Sequence, residues 1–412
     1  MRKVEAFSYL SHLQCSRCNR TYGVDERVQT CSCGSPLLAQ YDLRQAGKRL
    51  TKEHLRERPC SLWRYHELLP VRHSRFVVSM NESMTPLIPL PATGRHMDVS
   101  RLILKDEGTL PSGTFKARGA SVGVSRAMEL GESSLAITTN GNAGAAWTLY
   151  AARAGINISV VMPIDAPMTP RKECTLAGAD LFVIHGTIAD GGKLVQQLVA
   201  ESDGYDVSTL KEPYRLEGKK TMGFEIAEQF EWSVPDVIVY PTGGGAGVIG
   251  IYKAFRELQE LGWIDSRLPR LVVVQADGCA PLVRAFQKGE RTCAAWENPE
   301  TIAFGMRVPK ALGDFLILDE LYRTMGVAIS VSDSEIIRER GELARLDGIH
   351  VCPEGAAALA GVRRLRQTGW IGDDETVLVM NTGSGLKYVD QLSAGGKEID
   401  LQTSSALQYH GV

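Results

Sequence analysis

The run SLAITTNGNAGAAWTLYAARAGINISVVMP (residues 134–163) changes its hydrophobic rhythm twice, and that change decides the fold class. The segment "SLAITT" reads as a strand, "NAGAAWTLYAARAG" as a helix opened by Asn142 and stopped by Gly155, and "INISVVMP" as the next strand. The alternation continues through "RKECTLAGA" (helix), "DLFVIHG" (strand), "GGKLVQQLVAES" (helix) and "YDVST" (strand). A second series begins at "PDVIVYP", passes through a helix around "IGIYKAFRELQEL", and reaches the strands "RLVVVQAD" and "TVLVMNTG". Strands that alternate with helices imply parallel sheets joined by crossover helices. The expected class is therefore α/β, with two three-layer domains on parallel sheets and the active site in the cleft between them. Residues 100–210 form the smaller domain, and 46–99 with 211–395 form the larger one. Residues 396–412 read as a loosely packed polar tail.

The 412 residues, 44% of them hydrophobic, suffice for two or three well-filled domains. A formal net charge of -2, with no Lys/Arg block, argues against a nucleic-acid partner. The start, MRKVEAFSYLSHLQC, lacks a continuous apolar stretch, and no run has the length of a membrane span, so a cytoplasmic protein with no membrane partner is expected. Of nine cysteines, Cys60, Cys174, Cys279, Cys293 and Cys352 are scattered singly and read as small packing residues. Cys15, Cys18, Cys31 and Cys33 form two knuckles, C-x-x-C and C-x-C-G, as in a zinc ribbon over residues 1–45. Four thiolates leave no open coordination position, so a metal there is structural; the short second knuckle also admits a ribbon without metal.

Three loops and one lysine carry the chemistry. In "LPSGTFKARGA" (110–120), Pro111, Ser112, Gly113 and Thr114 read as a turn and helix start, placing Lys116 in the first turn. An ordinary lysine solvates a surface. At the positive end of a helix a cation is unfavourable, which suits a lysine that must be neutral to form a Schiff base and move protons. "PTGGGAGVIG" (241–250) follows a strand and opens a helix, so its glycines expose backbone N–H groups to a phosphate. It also matches G-x-G-x-x-G from Gly245, with Asp277 ending the next strand, which keeps an NAD-type dinucleotide-binding oxidoreductase open. In "TTNGNAGAA" (138–146), Thr139, Asn140, Gly141 and Asn142 either cap a helix or hold a substrate carboxylate. "MNTGSGLK" (380–387) ends a parallel strand, where Thr382 and Ser384 stand ready to bond a ring nitrogen or merely form a turn.

In this order the motifs resemble the fold-type II pyridoxal-phosphate enzymes, and among them the threonine synthases with a cysteine-rich N-terminal segment. The likeness runs over roughly residues 12 to 390 and includes "NESMTPL" (81–87) and "PEGAAALAG" (353–361). It implies that Lys116 carries the cofactor, that Asn142 contacts its ring oxygen, and that Gly243, Gly244, Gly245, Ala246 and Gly247 bind its phosphate. By the same resemblance Thr382 bonds the pyridine nitrogen, the chain forms a homodimer, and the substrate is O-phospho-L-homoserine, converted with water to L-threonine and phosphate. The family pattern N-P-T-G-S-F-K-D-R-G is altered at Leu110 and Ala117, and the ending "KARGA" is closer to the threonine and serine dehydratases. Elimination from threonine or serine, or replacement on another phosphorylated amino acid, therefore stays open. Ala117 is the expected point of divergence.

Overall fold

The computed structural model describes residues 6–82, 84–393 and 395–396. The tail expected over 396–412 lies outside the described residues except for Gly396. The first strands, β1 (Leu10–Cys15), β2 (Thr21–Tyr22) and β3 (Leu37–Tyr41), form an antiparallel sheet in the order β2-β1-β3. This ribbon touches both larger units. Arg27 pairs with Glu132 at 2.8 Å and Asp203 at 2.5 Å on one, while Arg17 lies over Phe315 and Tyr41 under Lys220 on the other.

Two sheets follow. The larger is built from β4 (Leu87–Pro89), β5 (Arg101–Asp106), β10 (Val237–Pro241), β11 (Arg270–Ala276), β12 (Val327–Val331) and β13 (Thr376–Asn381), in the order β12-β11-β10-β13-β5-β4. Only β4 runs antiparallel. The smaller sheet has β6 (Ser134–Thr138), β7 (Asn157–Pro163), β8 (Asp180–Ile184) and β9 (Tyr205–Asp206), all parallel, in the order β8-β7-β6-β9. Strand periodicity makes each large-sheet strand serve two cores. Ile238, Leu271, Val273 and Leu378 face the helices Arg215–Gln229 and Ala246–Glu260, while Val237, Val239, Val272 and Val379 face the helices Asp333–Leu346 and Pro353–Gln367. The small sheet repeats this, with Leu135, Ile137 and Val160 on the core shared with Trp147, and Ala136 and Val161 on the face of Val195.

Two sequence expectations change. The boundary placed at residue 100 falls too early: β5 pairs with β13 and β4, and its Leu102 and Leu104 fill the large-sheet core. The strand read as "YDVST" stops at Asp206: Val207 still donates to Ala136 O and packs in the small-sheet core, and Ser208 and Thr209 turn to the cleft. The edge strand Val327–Val331 was not anticipated; it lies in a short run with little contrast to its flanks.

The helix Arg215–Gln229 lies between the helices Lys116–Glu129 and Ala246–Glu260. The approach is close, since a Cβ on Gly218 would run into the carbonyl of Arg118. At that crossing Arg118 is wholly buried and doubly paired. Its Nε and Nη2 donate to Glu107 at 2.6 and 2.9 Å, and its Nη1 and Nη2 to Glu225 at 2.5 and 2.7 Å. Thr85 donates to Glu107 at 2.7 Å, and Lys105 pairs with Glu225 at 3.1 Å. Replacing Arg118 by Met strands two carboxylates without water, and the expected loss is about 3–5 kcal/mol, read as a fall in the urea unfolding midpoint at constant slope.

Candidate active site

A cavity of about 650 Å³ opens at the carboxyl ends of β6, β10 and β13, the edge at which open α/β sheets bind ligands. Lys116, Thr139, Asn140, Gly141, Asn142, Gly243, Gly244, Gly245, Ala246, Gly247 and Thr382 all line it. The structure thus brings these candidates together; Ser384 and Asp277 are outside the lining, and the cysteines form a separate cluster in the ribbon.

Lys116 is the first residue of the helix Lys116–Glu129, after a turn in which Ser112 and Gly113 take left-handed conformations. The turn is zipped to the loop after β13: Phe115 N donates to Thr382 O at 3.0 Å, and Ser384 N to Gly113 O at 2.8 Å. Lysine and Thr382 therefore share one wall. Burial, reinforced by the Arg215 guanidinium and opposed by Glu354, lowers the Lys116 amine to about 8. The helix start is where the sequence puts it, but enclosure is the main cause of the shift.

Asn142 opens the helix Asn142–Ala154. Its Nδ2 donates to the Tyr388 hydroxyl at 2.9 Å, which donates to Glu354 Oε1 at 3.1 Å. Asn142 Oδ1 and Glu354 Oε2 are buried without a protein partner. Thr139 Oγ1 accepts from Gly141 N at 3.0 Å, and Asn140 Nδ2 donates to Arg307 O at 2.7 Å, so both side chains also shape the loop. In the glycine loop Gly245 is left-handed (φ 76°), turning the chain from β10 into the helix Ala246–Glu260 with its first N–H groups toward the cavity.

Leu110 and Ala117 do not line the cavity. Both are buried in the small-sheet core, because the helix turns the residue after Lys116 away from the cleft. Ala117 therefore lies outside the lining, and the divergence expected there has no direct contact with the cavity to act through. Asp277 is also outside the cavity lining, which removes the acid that a dinucleotide needs beside the glycine loop.

Sequence reading missed Arg215, Lys219, Glu354 and Tyr388, which all line the cavity. Arg215 is 3% exposed and lies over Trp147. It bonds Val207 O at 2.7 Å and Thr209 Oγ1 at 3.3 Å, and no carboxylate pairs with it among the described residues. In "YRLEGKK" these charges look like a solvated helix face; only the packing of that helix between two others turns them inward. An amine-directed reagent applied to the cofactor-free chain should label Lys116 with a midpoint near pH 8 rather than above 10, because the protonated form that dominates below the midpoint is inert. Peptide mass mapping across pH reads that midpoint.

Comparison with known proteins agrees with this geometry. A family model described as "Pyridoxal-phosphate dependent enzyme" matches residues 78–383. Threonine synthase of Methanocaldococcus jannaschii is 36% identical over 386 residues, covering 93% of this chain and 95% of that protein. Threonine synthase of Methanosarcina acetivorans is 39% identical over 378 residues, covering 91% and 92%. Among solved structures, maize serine racemase superposes with a TM-score of 0.63 at 21% identity, covering 78% of this chain and 90% of that one, a likeness of fold. With the family model spanning both sheets and relatives matched along most of its length, the chain belongs to the pyridoxal-phosphate dependent enzymes.

Proposed function

We propose that this lyase is a threonine synthase, converting O-phospho-L-homoserine and water to L-threonine and phosphate with pyridoxal phosphate carried on Lys116. The observation that carries the substrate is Arg215. Its buried guanidinium makes no direct ion pair among the described residues, with Glu212 and Asp206 acting on it only at longer range, and it faces the same cavity as the glycine loop, so an arriving anion is favoured there. Lys211 and Lys310 also line that cavity, against Glu354 as its one carboxylate among the described residues. The site is thus built for more negative charge than one phosphate.

The residues present fit the cofactor. The N–H groups of Gly243 to Gly247 suit its phosphate, Asn142 its ring oxygen, and Thr382 its pyridine nitrogen, while the unpaired Asn142 Oδ1 and Glu354 Oε2 leave polar capacity for a ligand. When bound, the cofactor supplies an electron sink for charge developing at the substrate α-carbon. Lys116, with an amine lowered to about 8, takes protons from Cα and Cβ and returns them at Cγ and Cα, as phosphate leaves Cγ and water adds its hydroxyl at Cβ, the water's proton departing with phosphate. A hydroxyl rather than a carboxylate at Thr382 leaves the ring nitrogen neutral, which moderates the sink and favours elimination and replacement. Thr139 to Asn142 hold the substrate carboxylate, and Arg215 its phosphate. A homodimer in the cytoplasm, supported by the family resemblance, completes the proposal; no helix among the described residues is long and apolar enough to cross a membrane.

Cofactor-loaded protein given O-phospho-L-homoserine should release phosphate and form threonine. Arg215→Met should lower kcat/KM for that substrate by about 10² or more, the cost of removing one partner of a buried charge pair. Ammonia and 2-oxobutanoate from L-threonine, with no phosphate released from the phosphorylated substrate, would instead make the chain a dehydratase.

We also propose a structural zinc ion in the ribbon. The four cysteine sulfurs lie within 4.8 Å of one another, with Cys15–Cys33 and Cys18–Cys31 each at 3.5 Å. Zn–S bonds of about 2.3 Å in a tetrahedron put sulfurs about 3.8 Å apart, so the donor set fits. The expected result is one zinc per chain by elemental analysis, and a lower Tm after chelation; a fully folded chain without metal would count against it.

A further inference from the structure

Lys219 has no part in the mechanism above, yet it sits in the wall beside Lys116. It projects from the helix Arg215–Gln229 through space left by Gly119, where an added Cβ would stand 3.0 Å from Lys219 Cε. Its Nζ donates to the carbonyl of Phe115, the residue that caps the Lys116 helix. The Phe115 ring carries both amines, Lys116 Nζ at 4.4 Å and Lys219 Nζ at 4.3 Å from its centroid. Lys219 is 3% exposed, and no carboxylate pairs with it among the described residues.

We propose that Lys219 is a positioning residue for Lys116, fixing the first turn of its helix by holding the Phe115 carbonyl. The inference rests on the reading of Lys116 as the cofactor's attachment point. The groups around the Lys219 amine determine how it acts. Lys116 and Arg118 face it from one helix, Arg215 from its own, and Glu107 from the segment after β5. Burial first, then Lys116 and Arg215, push the amine well below its ordinary value, and the opposing Glu107 is already committed to Arg118. Enclosed, with Lys116 and Arg215 facing it and no carboxylate paired to it among the described residues, the amine is placed to hold its carbonyl as a neutral donor. It places Lys116 without setting a second positive charge beside it.

Two readouts test this on the full chain. The first is the pH dependence of cofactor capture, in which stripped protein is mixed with pyridoxal phosphate and the Lys116-bound visible band is followed. The second is deuterium exchange at Cα of a bound amino-acid substrate by the loaded enzyme. In Lys219→Met the capture midpoint should stay at the wild-type pH, while exchange slows by about tenfold to a hundredfold, the effect of a small misplacement of a reacting group. Lys219→Gln keeps an N–H donor and should exchange within about threefold of wild type. A midpoint that rises in Lys219→Met would show a cation at this position and overturn the neutral donor. Exchange at the wild-type rate in Lys219→Met would overturn the positioning role. If the Met variant does not fold, Lys219→Ala replaces it, and equal exchange by the Ala and Gln variants overturns the proposal. A visible band that persists in Lys116→Ala would instead defeat the parent reading, a result separate from any comparison at Lys219.

Discussion

A guanidinium with no access to water, held between Glu107 and Glu225, fixes the relative placement of the pieces that make the cavity. Taking three charged groups out of water is expensive, and the arrangement is tolerable only because Arg118 spends its donors on both carboxylates and Thr221, while Thr85 and Lys105 satisfy oxygens that remain. Such a cluster has one good geometry and many costly ones. It joins the end of β5, the segment before β4, and two helices, and so determines where Lys116, two residues before Arg118, can stand. Arg215 and Lys219 on the opposing helix inherit their positions from the same contact.

Around that fixed point the cavity gathers positive charge. Arg215 is enclosed, and Lys211 and Lys310 stand nearer its mouth, in a chain whose formal net charge is -2, while burial biases the enclosed amines of Lys116 and Lys219 toward their neutral forms. The concentration is local. A cleft of low dielectric lined by one sign of charge focuses its field on an incoming anion, and lowers the proton affinity of any amine within it. One electrostatic bias thereby serves both tasks of the site, attracting phosphorylated ligands and keeping the reactive amine available.

What the sequence made legible was mostly backbone. The strand-turn-helix units, the glycine loop and the lysine at a helix start follow from φ restrictions, capping and hydrophobic period, which act over a few residues. The residues lining the same cavity from a distance were not legible. Glu354 sits inside a segment noticed as a family landmark, and Tyr388 one residue beyond the glycine-rich turn 380–387; the hydrogen bonds from Asn142 to Tyr388 and from Tyr388 to Glu354 join parts of the chain that no local pattern links. Arg215 and Lys219 carry the charges of a solvent-facing helix and become interior only through the close crossing at Gly218. Ala117 is a different case: its departure from the family pattern made it the expected point of divergence, and the 100° step of the helix points it into the core.

The ribbon, finally, bears on how the chain is made. Arg27 closes on Asp203, 176 residues further on, and Arg17 on Phe315. A ribosome delivers the ribbon first, and for most of synthesis its docking surfaces do not yet exist. Residues 10–41 must then persist as a small, locally closed module until both sheets have formed, and only afterwards be captured. The fastening across the two sheets is thus made by residues that leave the ribosome well before the surfaces they hold.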